Sequence, residues 1–190
     1  MESRRVLLET GEMYHLYNHA NGNENLFRDD YDYINFLDKL VFHTSHLVYY
    51  YSYCLMPNHF HLVCETRAEE ELRLLNIQHP EKAISRGFAN VFSGYAKKIN
   101  AKYGRMGSLF MQNVGKRQIK DENDFCKVVH YVHANPVHHG FVNHISEWQH
   151  SSYTALLEDR APWLHKKKVL EYFGNIHHFI AYHQQVIDRK

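Results

Sequence analysis

The chain predicts an α+β fold: a ferredoxin-like antiparallel sheet with helices on one face, plus a small helical appendage at the C-terminal end. Three observations carry this. Short runs such as Met13–Ala20, Leu47–Cys54 and His59–Thr66 are rich in β-branched and aromatic residues and bounded by turn formers, as strands are. Between and after them lie longer stretches with apolar residues at helical spacing. At 190 residues the chain is long enough for one ordinary core and short for two.

Taken in order, a first strand at 13–20 leads through Asn21-Gly22-Asn23 into a helix from about Asp30 to His43. Strands at 47–54 and 59–66 pair through a turn at Leu55–Asn58. Glu69–Pro80 reads as a mobile, acidic loop. A basic helix covers about Ala83–Lys102, and a fourth strand about Ser108–Lys116. Asp121-Glu122-Asn123-Asp124 supplies capping and acidic residues for a last main helix, with Phe125, Val128, Val129 and Val132 as its apolar stripe. Pro136 disfavours helical geometry at Asn135, so this helix is expected to end there. Four strands with helices packed on one side give the ferredoxin-like arrangement. The body is placed at 1–155, and 156–190 is read as a helical extension of the same domain that docks on it.

Chemistry concentrates at His59-Phe60-His61. Strand alternation sends Phe60 into the core and projects both imidazoles from the other face, where two such groups can hold one divalent metal. With 17 histidines in the chain, the pair taken alone reads more readily as two solvated side chains. A second element changes that balance: His130-Tyr131-Val132-His133-Ala134-Asn135-Pro136-Val137 puts Tyr131 and Asn135 four apart on nearly one helical side. Cys54, Cys64 and Cys126 form no CxxC pair and are expected as reduced, largely buried thiols. Zinc through the two cysteines that flank the histidines is disfavoured, since alternation turns Cys64 to the opposite face.

The ordered set of motifs resembles the REP-associated tyrosine transposases, within the single-tyrosine HUH transposases. The matching stretches are Tyr14-His15-Leu16-Tyr17-Asn18 with Gly22, Met56-Pro57-Asn58-His59-Phe60-His61-Leu62-Val63, Gly107-Ser108-Leu109-Phe110-Met111-Gln112, Tyr131-Val132-His133-Ala134-Asn135-Pro136-Val137 with Gly140, and Trp148-Gln149-His150-Ser151-Ser152-Tyr153. Together they span about residues 12–155. The resemblance implies that His59 and His61 bind Mg²⁺ or Mn²⁺. Asn135 would complete that site, directly or by supporting a ligand, and Tyr131 would attack DNA. The implied activity is cleavage and rejoining of single-stranded DNA beside hairpin repeats, through a 5′-phosphotyrosine. Two alternatives stay open: a metal-dependent phosphoesterase that uses water, and a domesticated module that binds nucleic acid without cutting. A homodimer is also open, as related transposases can share active sites between chains.

Charge adds a separate strand of evidence. The totals nearly cancel, with 22 basic and 21 acidic residues, yet no aspartate or glutamate occurs between Lys82 and Lys120. Lys97, Lys98, Lys102, Arg105, Lys116, Arg117 and Lys120 in or at the end of that stretch are expected to contact DNA phosphates. The interleaved Phe88, Phe92, Tyr95 and Ile99 fit a core stripe instead. Mean hydropathy of −0.55 and the lack of a long apolar run argue for no membrane partner. Met1-Glu2-Ser3-Arg4-Arg5 lacks the apolar region of a signal peptide, so the expected compartment is cytoplasmic.

Overall fold

The computed structural model describes residues 6–185. Met1–Arg5, on which the signal-peptide reading rested, and the last residues of the C-terminal extension lie outside this range. Four strands, β1 (Met13–His19), β2 (Val48–Met56), β3 (His59–Thr66) and β4 (Gly115–Gln118), form one sheet in the order β2-β3-β1-β4, every neighbour antiparallel. With α1 (Asp30–Thr44) between β1 and β2 and α3 (Pro80–Tyr103) between β3 and β4, this is the ferredoxin-like topology.

Each boundary has a local cause. Asp29 accepts from Asp32 N to cap α1, and Asp121 accepts from Asp124 N to cap α4 (Glu122–His138), meeting amide donors a helix start leaves open. Pro80 sits in the first turn of α3, and Gly104, at φ +61°, ends it. Phe60 stacks near Phe36, Phe92 and Phe110, so α1 and α3 cover the Phe60 face of the sheet. The opposite face also has a roof. Helix α4 crosses it, with Phe125 against Tyr51, and this explains why β2 and β3 are buried on both sides.

Several expectations are corrected. The β2–β3 turn is only Pro57-Asn58, tied down as Leu26 and Phe27 amides both donate to the Pro57 carbonyl (2.7 and 3.0 Å). Glu69–Leu74, read as part of a loop, is a short helix, α2, stiffened by the Glu69–Arg73 pair one turn apart. The fourth strand starts at Gly115 rather than Ser108; upstream only Phe110 bridges, to Ala20. Helix α4 runs three residues past Asn135 because Pro136 sits in its last turn, where a missing N–H forfeits one intrahelical bond. It then stops at Gly140 (φ +71°), with Phe141 N donating to the Pro136 carbonyl at 2.9 Å.

Helix α5 (Ser152–Leu157) straddles the boundary drawn at 155, and α6 (Lys166–Phe173) and α7 (Ile176–His183) of the C-terminal segment pack against α4. Trp148 and His150, just before α5, and His165, just before α6, close the outer edge of β2. Leu55 N donates to His150 O (2.9 Å), His165 N to Tyr50 O (2.8 Å), and Trp148 Nε1 to Leu55 O (3.0 Å). An exposed sheet edge is thereby removed.

Candidate active site

Pleating fixes the site's floor. On the α4 side of the sheet, β1 presents His15, Tyr17 and His19, β3 presents His59, His61 and Val63, and β4 presents Gly115 and Arg117, by register. His59 and His61 are 3% and 5% exposed. The Asn58 amide oxygen accepts from His59 Nδ1 at 2.8 Å, which leaves the ring's lone pair on Nε2. That Nε2 is buried with no hydrogen-bond partner. His61 Nδ1 is joined to His15 Nε2 at 2.9 Å.

Helix α4 supplies the roof. The Tyr131 ring stands edge-on to His61, 5.6 Å between centroids, and 6.0 Å from His15. It is 44% exposed, so solvent or a ligand reaches it. Asn135 is buried, its Nδ2 donating to the Tyr131 carbonyl at 2.9 Å. Its amide also lies beside His59, where it slightly favours the protonated ring.

Electrostatics keep these imidazoles neutral. Burial is the main cause in each case. It lowers the His59 pKa to about 4, helped by His19 and His139, and the His15 pKa to about 4, helped by Arg117. His61 is pushed well below its ordinary value, first by burial and then by His15 and His59. Neutral imidazole is the form that binds metal.

All four residues of the expected site thus meet under one helix. Sequence reasoning missed their neighbours. His19 stacks on His59 (4.7 Å), His139 stands edge-on to it (5.0 Å), His138 lies 6.0 Å from Tyr131, and Tyr17 lies 5.9 Å from His61. The signal was present in β1, where His15, Tyr17 and His19 alternate on one face.

The expected phosphate contacts are not brought together. Lys97, Lys98 and Lys102 belong to α3, across the sheet from the histidines. Lys102 pairs with Asp29 and Asp32 (2.6 and 2.8 Å), Arg105 with Glu24, and Arg117 with Asp124 (2.8 Å). Lys98 Nζ donates to the Tyr31 hydroxyl and Lys116 Nζ to the Leu7 carbonyl. Lys120 is exposed just before α4. The acid-free stretch is therefore not an acid-free surface, because acids from elsewhere fold onto it.

A metal fits this floor as a partly protein-held ion. Among the described residues no three His, Cys, Asp or Glu side chains converge on one point. Two imidazoles, the orphaned His59 Nε2 among them, with the Asn135 amide close by, leave open positions for water or substrate oxygen.

Fold and site together define a ferredoxin-like α+β protein whose sheet carries a histidine pair beneath a helix-borne tyrosine. No protein-family model matches the chain. Over 100 residues it is 23% identical to a Haemophilus influenzae protein named as a REP-associated tyrosine transposase. That match spans 53% of this chain and 56% of the relative, a little over half its length. Among solved structures, a REP-associated tyrosine transposase bound to a REP hairpin shares the fold with a TM-score of 0.63. The identity is 16%, over 83% of this chain and 86% of the other. The resemblance read from the motifs is thus met again in the Haemophilus influenzae relative, and the fold in the solved structure.

Proposed function

We propose that the chain is a transposase-like enzyme that cleaves and rejoins single-stranded DNA beside hairpin repeats, with Tyr131 as nucleophile. The observation that carries this is the exposed Tyr131 ring 5.6 Å from His61, on the sheet face that also holds the unpartnered His59 Nε2. The relative's name and the hairpin-bound structure are consistent with it.

The Tyr131 oxygen attacks the phosphorus in line with the 3′ leaving oxygen, its own proton passing to solvent. The P–O3′ bond breaks and the 3′ oxygen takes up a proton, leaving a 5′-phosphotyrosine and a free 3′-hydroxyl. Reversal by that hydroxyl, or by another, releases Tyr131 and restores a phosphodiester, so no outside energy source is needed. His59 and His61, with Asn135 completing or supporting the set, would hold Mg²⁺ or Mn²⁺. When bound, the cation offsets charge on the phosphate. His15 holds the His61 ring in place. Imidazole donors favour Mn²⁺ over Mg²⁺. The DNA partner and the cytoplasmic setting both follow from this reading; among the described residues no helix is long and apolar enough to cross a membrane.

The test is a denaturing gel of the purified chain with hairpin-bearing single-stranded oligonucleotides, in Mn²⁺ or EDTA. A metal-dependent covalent adduct, lost in Tyr131→Phe, is expected. Cleavage without adduct would favour attack by water, and binding without cleavage a non-cutting module.

A further inference from the structure

We propose that Tyr17 is a stacking platform for a nucleobase next to the reacting phosphate. This rests on the reading above that the substrate is single-stranded DNA. Tyr17 sits on β1, paired with His61 on one side and Gly115 on the other, so it occupies the same sheet face as the histidine pair. Its ring centroid is 5.9 Å from that of His61 and 5.2 Å from that of His15. It is 36% exposed.

Gly115 explains the pose. A Cβ there would come within 2.3 Å of Tyr17 Cε2 and Cζ. Gly115 has no positive φ, so the glycine provides space and not backbone freedom. The ring lies across the β1–β4 ladder with its hydroxyl-bearing carbon over Gly115 of β4. What Tyr17 offers the site is therefore an aromatic face, where Tyr131 offers a nucleophile from above. An exposed aromatic ring beside a phosphate-handling centre suits base stacking, which tolerates any sequence because every base has a π-face. A merely structural role, the ring covering a strand glycine, is the competing explanation.

The experiment compares Tyr17→Leu, which keeps apolar cover over Gly115, with Tyr17→Phe, which keeps the ring. The probe is a DNA hairpin with a single-stranded flank carrying 2-aminopurine at successive positions. Wild type should quench fluorescence at one position beside the cleavage point. Tyr17→Leu should lose that quench and bind about 5- to 150-fold more weakly, the range of one lost base stack. Tyr17→Phe should restore both signals. Wild-type affinity and quench in Tyr17→Leu, with at most a lower melting temperature, would overturn the proposal and leave the Tyr131 chemistry standing. Loss of the covalent adduct in Tyr17→Phe would also overturn it, since the hydroxyl would then matter. If the wild type neither binds nor forms adduct, both readings fall together.

Discussion

In the proposed reaction, His59 is the residue whose geometry matters first. Its Nδ1 is committed to Asn58, its Nε2 is buried without a partner, and burial holds it neutral. A buried polar atom left unpaired costs stability unless something outside the chain completes it. His59→Ala or His61→Ala should abolish the covalent adduct while sparing most DNA binding; an oligonucleotide shift assay run beside the adduct gel checks both. His15 acts through His61. His15→Phe should weaken Mn²⁺ binding about 10- to 100-fold, read by electron paramagnetic resonance of free Mn²⁺. Unchanged Mn²⁺ affinity would remove His15 from the account. At this scale the sequence was legible where residues were adjacent in a motif. Tyr17 and His19 show their shared face in β1, but which residues they meet depends on strand register, and the place of His139 depends on the helix end beyond Pro136.

Among the elements, α4 matters most, and the C-terminal segment holds it. His183 Nδ1 donates to Phe179 O (2.7 Å), so its Nε2 accepts from His133 Nδ1 (2.9 Å), and His133 Nε2 accepts from Ser152 Oγ (2.6 Å). Ser152 in turn accepts from Tyr53 N (2.8 Å), which ties α7, α4, α5 and β2 into one buried chain. Ser152→Ala should therefore cost about 1–3 kcal/mol in urea unfolding, by stranding buried groups. The chain works only with neutral rings, and burial lowers the His183 pKa to about 3. Unfolded histidine titrates near 6.5, so below that pH the unfolded state binds more protons. Stability should be level above pH ~6.5 and fall as pH drops toward 3, with about 2 kcal/mol lost at pH 5 through this group. Urea titrations at pH 7.5 and 5 should show that drop, and His183→Phe should reduce it. The tail's helices were visible in the sequence, but this purpose was not, since His133, Ser152 and His183 are separated by tens of residues.

For the whole molecule, the sheet divides the charge into two populations. Lys97 and Lys98 lie behind it on α3, and Arg117 shares the histidine face. Arg117→Ala should weaken single-strand binding and lower the salt slope by about 0.7 if it meets one phosphate, while Lys97→Ala should change little. Equal effects would mean that DNA wraps both faces. The α+β order and the ferredoxin-like topology were legible from periodicity, because β1 to β3 and the long helices announce themselves locally, whereas short α2 and β4 did not. The roof over the second sheet face was not. Burial of β2 on both sides depends on α4 folding back, a long-range contact no local pattern encodes. That the acid-free stretch is not an acid-free surface has the same cause, as Asp29, Asp32, Glu24 and Asp124 arrive from distant segments.

The most direct test is to trap the protein–DNA adduct formed in Mn²⁺, digest it with protease and nuclease, and locate the modified residue by tandem mass spectrometry. A 5′-phosphonucleotide on the peptide that contains Tyr131 is the predicted result. The nucleotide on Tyr17 or any other residue, or cleaved DNA with no modified peptide, would contradict the account.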